Sequence, residues 1–249
     1  MNWNNIKTFL IFLFLAVNIF LIVISVNMHN ASKLTDKNIN ETLILLEKNN
    51  IKIDEQIIPR NAYSNNSIHL TDIYFSDIIS SQNISRDNNQ VVIILNCDWP
   101  KSDISEKLIL QTLKKYGFDI SNIQITLFDG KYIISSKFND IPIFNNNLMV
   151  THHDDKLVLR GNWYIAKDSY MWQQSSQSYA TSALINFVSC PYRNTDKTSV
   201  ITNIEYGYYA QSDNMNQNIK TISSSPCYRL TTDDGMMYYY SVNEGKFVK

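Results

Sequence analysis

Four consecutive residues, His152-His153-Asp154-Asp155, form the one cluster that gathers the donor types of a divalent metal site or a proton relay. A metal needs donors that converge, and successive residues of an extended strand point to opposite faces. No second His or Cys stands at a chelating spacing from this cluster, as zinc sites require. The four are therefore expected at a solvated hairpin tip. His29 and His69 are isolated. The chain has no glycine-rich phosphate loop, no G-x-S-x-G elbow and no H-E-x-x-H, the motifs of nucleotide, serine-hydrolase and zinc-protease chemistry. Paired carboxylates of the glycosidase kind leave no spacing signature, because the two acids need not be near in the chain. The expectation is a protein with no catalytic, cofactor or metal residues, and not an enzyme.

Three side-chain groups remain. Cys97, Cys190 and Cys227 cannot all pair with one another, and none lies in a C-x-x-C spacing. Cys190 with Cys227 is one candidate disulfide on an oxidising side; three buried free thiols are the other reading, and the preferred one. Tyr206, Tyr208, Tyr209, Tyr228, Tyr238, Tyr239 and Tyr240 crowd the C-terminal end. They suit an aromatic ligand face, though tyrosine is also a favoured strand residue that packs across strands, which is the expected role. Asn18 stands alone in an apolar run, where its amide gains about 0.6–2 kcal/mol by bonding to another membrane helix or is carried by a simple anchor.

That run is Phe9 to Val26, eighteen residues without a charge, interrupted only by Asn18 and Ser25. As a helix it spans about 27 Å, one hydrocarbon core. The rival is a cleaved signal peptide, but the run exceeds a usual h-region and no Ala-x-Ala-like site follows. Lys7 before it and Lys33 and Lys37 after it do not orient it by charge. The rest of the 249 residues, 44% apolar with a net charge of −1, suffices for one or two domains with real cores. No basic stripe exists to neutralise phosphates, so nucleic acid is excluded.

Beyond the anchor a helix followed by antiparallel strands recurs three times, which predicts an α+β fold with antiparallel sheets. The first helix is expected from Asn38, capped in a box with Glu41, with Ile39, Leu43 and Leu46 inward. The second is expected from Asp103, boxed with Glu106 and ended by Gly117. Strands follow at Ile123–Leu127, at Tyr132–Phe138 across the Asp129-Gly130 turn, at Ile141–Val150 and at Leu157–Ile165. The third helix is expected from Ser175 or Ser176, with Ala180, Ala183, Leu184, Phe187 and Val188 on one face. Strands at Val200–Ala210, Cys227–Thr231, Met236–Val242 and Lys246–Val248 complete the chain. The expected organisation is a tail at 1–8, a membrane helix at 9–27, a linker at 28–37, an α+β domain at 38–100 and another at 101–249. The last contains an internal repeat, 101–168 and 169–249.

The start Met1-Asn2-Trp3-Asn4-Asn5-Ile6-Lys7-Thr8 running into a membrane helix with a central Asn resembles the YycI family. So do Ile141-Pro142-Ile143-Phe144, Ile204-Glu205-Tyr206-Gly207-Tyr208-Tyr209, and Tyr228-Arg229-Leu230 leading to Gly235 and Tyr238-Tyr239-Tyr240-Ser241-Val242-Asn243. YycH and YycI proteins are membrane-anchored accessories of the WalK (YycG) type sensor histidine kinase, part of a two-component system governing cell-wall metabolism in low-GC Gram-positive bacteria. The resemblance implies a single-pass protein of the cell membrane with its N-terminus cytoplasmic and PepSY-like α+β domains outside. It also implies a regulatory rather than catalytic role, with the kinase and a YycH-like co-regulator as partners through membrane helices. The expected partner-binding residues are Asn18, Phe14 and Leu21. The alternative is a tethered extracytoplasmic enzyme or a PepSY-type enzyme inhibitor. The segment 38–96 carries little of the family pattern.

Overall fold

Residues 11–22 form a helix, α1, all of whose side chains are exposed. The computed structural model describes residues 7, 11–22, 34–61, 63, 66–75, 80, 83–87, 90–100, 104–170, 179–210, 221–242 and 245–248. Most of the expected 28–37 linker, the ends of the expected span, Asp103 and Ser175-Ser176 lie outside the described residues. No helix among the described residues is long and apolar enough to cross a membrane.

The fold is α+β. Helix α2 (Asp36–Lys48) starts before Asn38, because the Thr35 hydroxyl accepts from the Asn38 amide at 3.4 Å and Asp36 places a carboxylate in the first turn. Ile39 and Leu46 are buried and Leu43 packs beside them, as expected. Helix α3 (Glu106–Lys115) buries Ile109 and Leu113 and ends at Gly117, whose φ of 87° suits the C′ position. Helix α4 (Ala180–Val188) buries Ala180, Ala183, Leu184 and Phe187.

The strands are β1 (Ile51–Ile53), β2 (Ser67–Asp72), β3 (Ile84–Asp87), β4 (Gln90–Asn96), β5 (Ile123–Phe128), β6 (Lys131–Phe138), β7 (Ile141–His153), β8 (Lys156–Gly161), β9 (Tyr164–Tyr170), β10 (Ser199–Tyr209), β11 (Thr221–Ser224), β12 (Pro226–Thr232) and β13 (Met237–Ser241). Asp129 and Gly130, at φ 48° and 70°, make the tight β5–β6 turn.

Strand β7 is the hinge of the large sheet. Its N-terminal end runs parallel to β10 through Ile143↔Tyr208 and Phe144↔Tyr209. Its C-terminal end runs antiparallel to β8 from Leu148 to His153. The change of partner falls at Asn145, which adopts a left-handed φ of 58° and donates its amide to the Ala210 carbonyl at 2.9 Å. The full path is β13-β12-β10-β7-β8-β4-β3, with β6 and then β5 on β7, and β1 on β10.

Two expectations are corrected here. The sheet is not wholly antiparallel, since β1 and β7 each run parallel to β10. No hairpin connects these strands, so no turn dictates their direction. The expected strand Leu157–Ile165 is two strands. Gly161 bends the chain so close to β7 that a Cβ there would lie 2.1 Å from the Asn147 carbonyl oxygen. After it the chain leaves for a separate three-stranded sheet, β11-β2-β9.

Pairing also runs across the expected boundary at 100/101. Ile51–Ile53 lies on Ser199–Ile201, and α2 and α4 share one core with β10, β12 and β13. The middle of the chain makes a second core, with α3 against Val91, Ile93, Ile134, Leu148, Leu157 and Leu159 of β4 and β6–β8.

Candidate functional site

Alternation along β10, β12 and β13 sets two cross-strand ladders on opposite faces. Tyr206, Tyr228 and Tyr240 stand opposite one another in register and are buried beneath α2 and α4. Burial pushes all three phenols well above the ordinary tyrosine range. These residues pack across strands, as expected of a tyrosine-rich sheet. The neighbouring ladder, Glu205, Arg229 and Tyr239, faces the other way into an open trough.

The trough floor is aromatic and its guanidinium is fixed. Arg229 Nε donates to Glu205 Oε2 at 3.0 Å, and Nη2 donates to the same oxygen. The guanidinium carbon lies 4.3 Å from the Phe144 ring centroid. Tyr239 completes the cluster, with ring centroids 5.6 Å from Phe144 and 4.8 Å from Tyr209. Its phenol is pushed up by burial and drawn back by the Arg229 charge. Strands β5–β7 extend the surface with Thr126, Phe128, Ser135, Lys137 and Asn147, around a cavity of about 560 Å³. A second cavity of about 490 Å³ adjoins it across Phe128, Ile133, Asn145 and Asn147, and carries Lys131 and Arg160. Large concavities with aromatic floors and a few oriented polar groups are where ligands and partners bind.

The expected hairpin tip is corrected. His153, Asp154 and Asp155 are exposed, but His152 is 4% exposed. Strand β7 runs through to His153, so its alternation turns His152 inward. His152 Nε2 lies 3.1 Å from Cys97 Sγ, with the Trp99 ring 4.7 Å away. Burial, ahead of any charge, pushes the Cys97 thiol up. A thiol held protonated is not an activated nucleophile, so this contact belongs to the core. Among the described residues no group of three or more His, Cys, Asp or Glu is placed to hold a metal ion. Cys97, Cys190 and Cys227 are all free and buried.

Asn18, Phe14 and Leu21 all lie on α1 and are exposed. At spacings of four and seven residues they share one helix face. Asn18 Nδ2 donates to the Phe14 carbonyl at 2.8 Å, which leaves its second N–H and its carbonyl oxygen to bond elsewhere. Glu205, Arg229 and Phe144 carry no chemical signature in their residue types alone. Their signal is positional: Glu205 and Arg229 each flank a buried tyrosine by one residue, on strands whose tyrosine face packs against α2 and α4.

No family model and no curated protein matches the chain. A crystal structure of an uncharacterized protein from Eubacterium rectale ATCC 33656 aligns with a TM-score of 0.41 at 10% identity, over 80% of this chain and 89% of that one. A likeness at that level carries no argument about fold or function.

Proposed function

We propose that this protein is a membrane-anchored accessory regulator of a two-component sensor histidine kinase of the WalK type. Residues 9–27 are its single transmembrane helix, its N-terminus is cytoplasmic, and its α+β part, PepSY-like in its helix-on-sheet units, lies outside the membrane. It works by contacts and not by catalysis, through α1 with the kinase and a YycH-like co-regulator, and through the folded part outside. The carrying observation is α1: twelve consecutive described residues with every side chain exposed, all apolar except Asn18. A continuous apolar surface of this kind needs lipid or another helix to cover it. The family resemblance of the start and of the β7, β10 and β12–β13 segments supports the kinase as partner.

Protease added to intact protoplasts tests the topology. Degradation of the folded part with survival of an anchor fragment of about 3 kDa fits one spanning helix. Full protection of the folded part would overturn the placement.

A further inference from the structure

The trough carries a charge pattern that the net charge of −1 conceals. Four cations, Lys131, Lys137, Arg160 and Arg229, line its two cavities against two anions, Asp129 and Glu205. Arg160 is matched by Asp87 at 2.8 Å and Arg229 by Glu205. Lys131 and Lys137 form no ion pair among the described residues. Both are on β6, six residues apart, which is about 20 Å along a strand. The lining also carries exposed apolar side chains: Phe128 is 70% and Met237 49% exposed. Asn147 adds a side-chain amide beside them.

We propose that this trough docks an extended acidic peptide segment of a partner protein, about six to eight residues long, with carboxylates alternating with apolar side chains. The two unpaired ammonium groups set the sign and the length of the partner. Phe128 and Met237 take its apolar side chains, and the Asn147 amide suits the backbone groups of an extended chain. Arg229, locked by Glu205 and stacked on Phe144, is an oriented donor that loses little freedom when a carboxylate arrives. A sugar chain would use the aromatic floor, but Phe144 is only 3% exposed and its face is occupied by Arg229. That leaves charge as the principal recognition element. The proposal deepens the reading of the folded part as a partner-binding module, and names its surface.

The test uses the full chain in detergent micelles and a fluorescein-labelled octapeptide alternating Glu and Val, read by anisotropy. Saturable binding is expected, weakening as salt rises from 50 to 300 mM. The Gln–Val analogue should bind at least about tenfold more weakly, and Lys137→Glu and Lys131→Glu should each weaken the acidic peptide by about tenfold. Lys48→Glu, the same charge change on α2, should leave binding within about twofold; circular dichroism checks that each variant is folded. No saturable binding by wild type, or equal binding by the lysine variants, would overturn the proposal. So would tighter binding of a hyaluronan octasaccharide that displaces the peptide, which would make this a glycan surface. Co-purification of a kinase through α1 is read separately, so loss of either result leaves the other standing.

Discussion

The guanidinium of Arg229 sits 4.3 Å above the ring of Phe144, and this contact joins β12 to the strand on which the two halves of the large sheet meet. Phe144 is 3% exposed and shares a small buried cluster with Tyr209 and Cys227. Phe144→Ala should cost about 3–5 kcal/mol by opening a cavity. Phe144→Leu keeps most of the volume but removes the cation–π contact, so it should cost about 0.5–2 kcal/mol beyond any repacking. Urea denaturation of both variants gives the ordering, and a Phe144→Leu variant as stable as wild type would mean that the ring face contributes nothing.

The same crossing constrains Gly207. A Cβ there would lie 2.6 Å from Phe144 ring atoms and 2.6 Å from the Pro142 carbonyl oxygen. The ring can turn, but the backbone oxygen cannot retreat without moving β7. Gly207→Ala should destabilise by about 1–3 kcal/mol, the usual range for overpacking. A variant as stable as wild type in thermal melts would show that β7 and β10 separate without cost.

The α4 stripe offers a plain packing test. Leu184 is fully buried between α4 and the tyrosine ladder, and Leu184→Ala should cost about 2–5 kcal/mol. A loss below about 0.5 kcal/mol in equilibrium unfolding would place that face in solvent.

Such packing stripes were legible because helix periodicity is local: Ile39, Leu46, Ile109, Leu113, Ala183 and Leu184 all point inward as their spacing dictates. The Asp129-Gly130 turn was legible for the same reason. The grouping of elements was not, because β1 is three residues long and its partner lies almost 150 residues away. Nothing in Ile51-Lys52-Ile53 encodes that distance. The trough shares this difficulty, since Glu205, Arg229 and Tyr239 meet only once the register of three strands is fixed. At His152 the information was present, as adjacent strand residues must face opposite ways. What the sequence did not mark was that β7 stays a strand through His153, with Cys97 and Trp99 waiting beneath it.

Thiol chemistry checks the cores. Cys97, Cys190 and Cys227 are buried and free, so Ellman's reagent should react slowly with the native protein. In denaturant without reductant it should find three thiols. A count of one would establish a disulfide between two of them.

Alkaline pH should unfold the protein through its tyrosine ladder. Burial raises the folded-state pKa of Tyr206, Tyr228, Tyr240 and Cys227. Their neutral forms are therefore favoured in the folded chain. The corresponding stability is present in full below the unfolded values, about 8.5 for Cys and about 10 for Tyr, and is lost as pH rises above them toward the folded values. Stability measured by urea should hold from pH 7 to about 8 and decline steeply beyond about 10. A flat profile to pH 11 would contradict the burial of these groups.

The proposed function rests on α1 meeting other helices, and Asn18 is the residue through which that claim is most exposed to test. Asn18→Leu removes the one polar group among residues 11–22 and eases insertion, so the variant should reach the membrane in normal amount. Co-purification of the sensor histidine kinase with the full-length chain, wild type beside Asn18→Leu, is the deciding measurement. Kinase recovery is expected to fall several-fold in the variant at equal membrane abundance; recovery equal to wild type would contradict partner contact through this helix face.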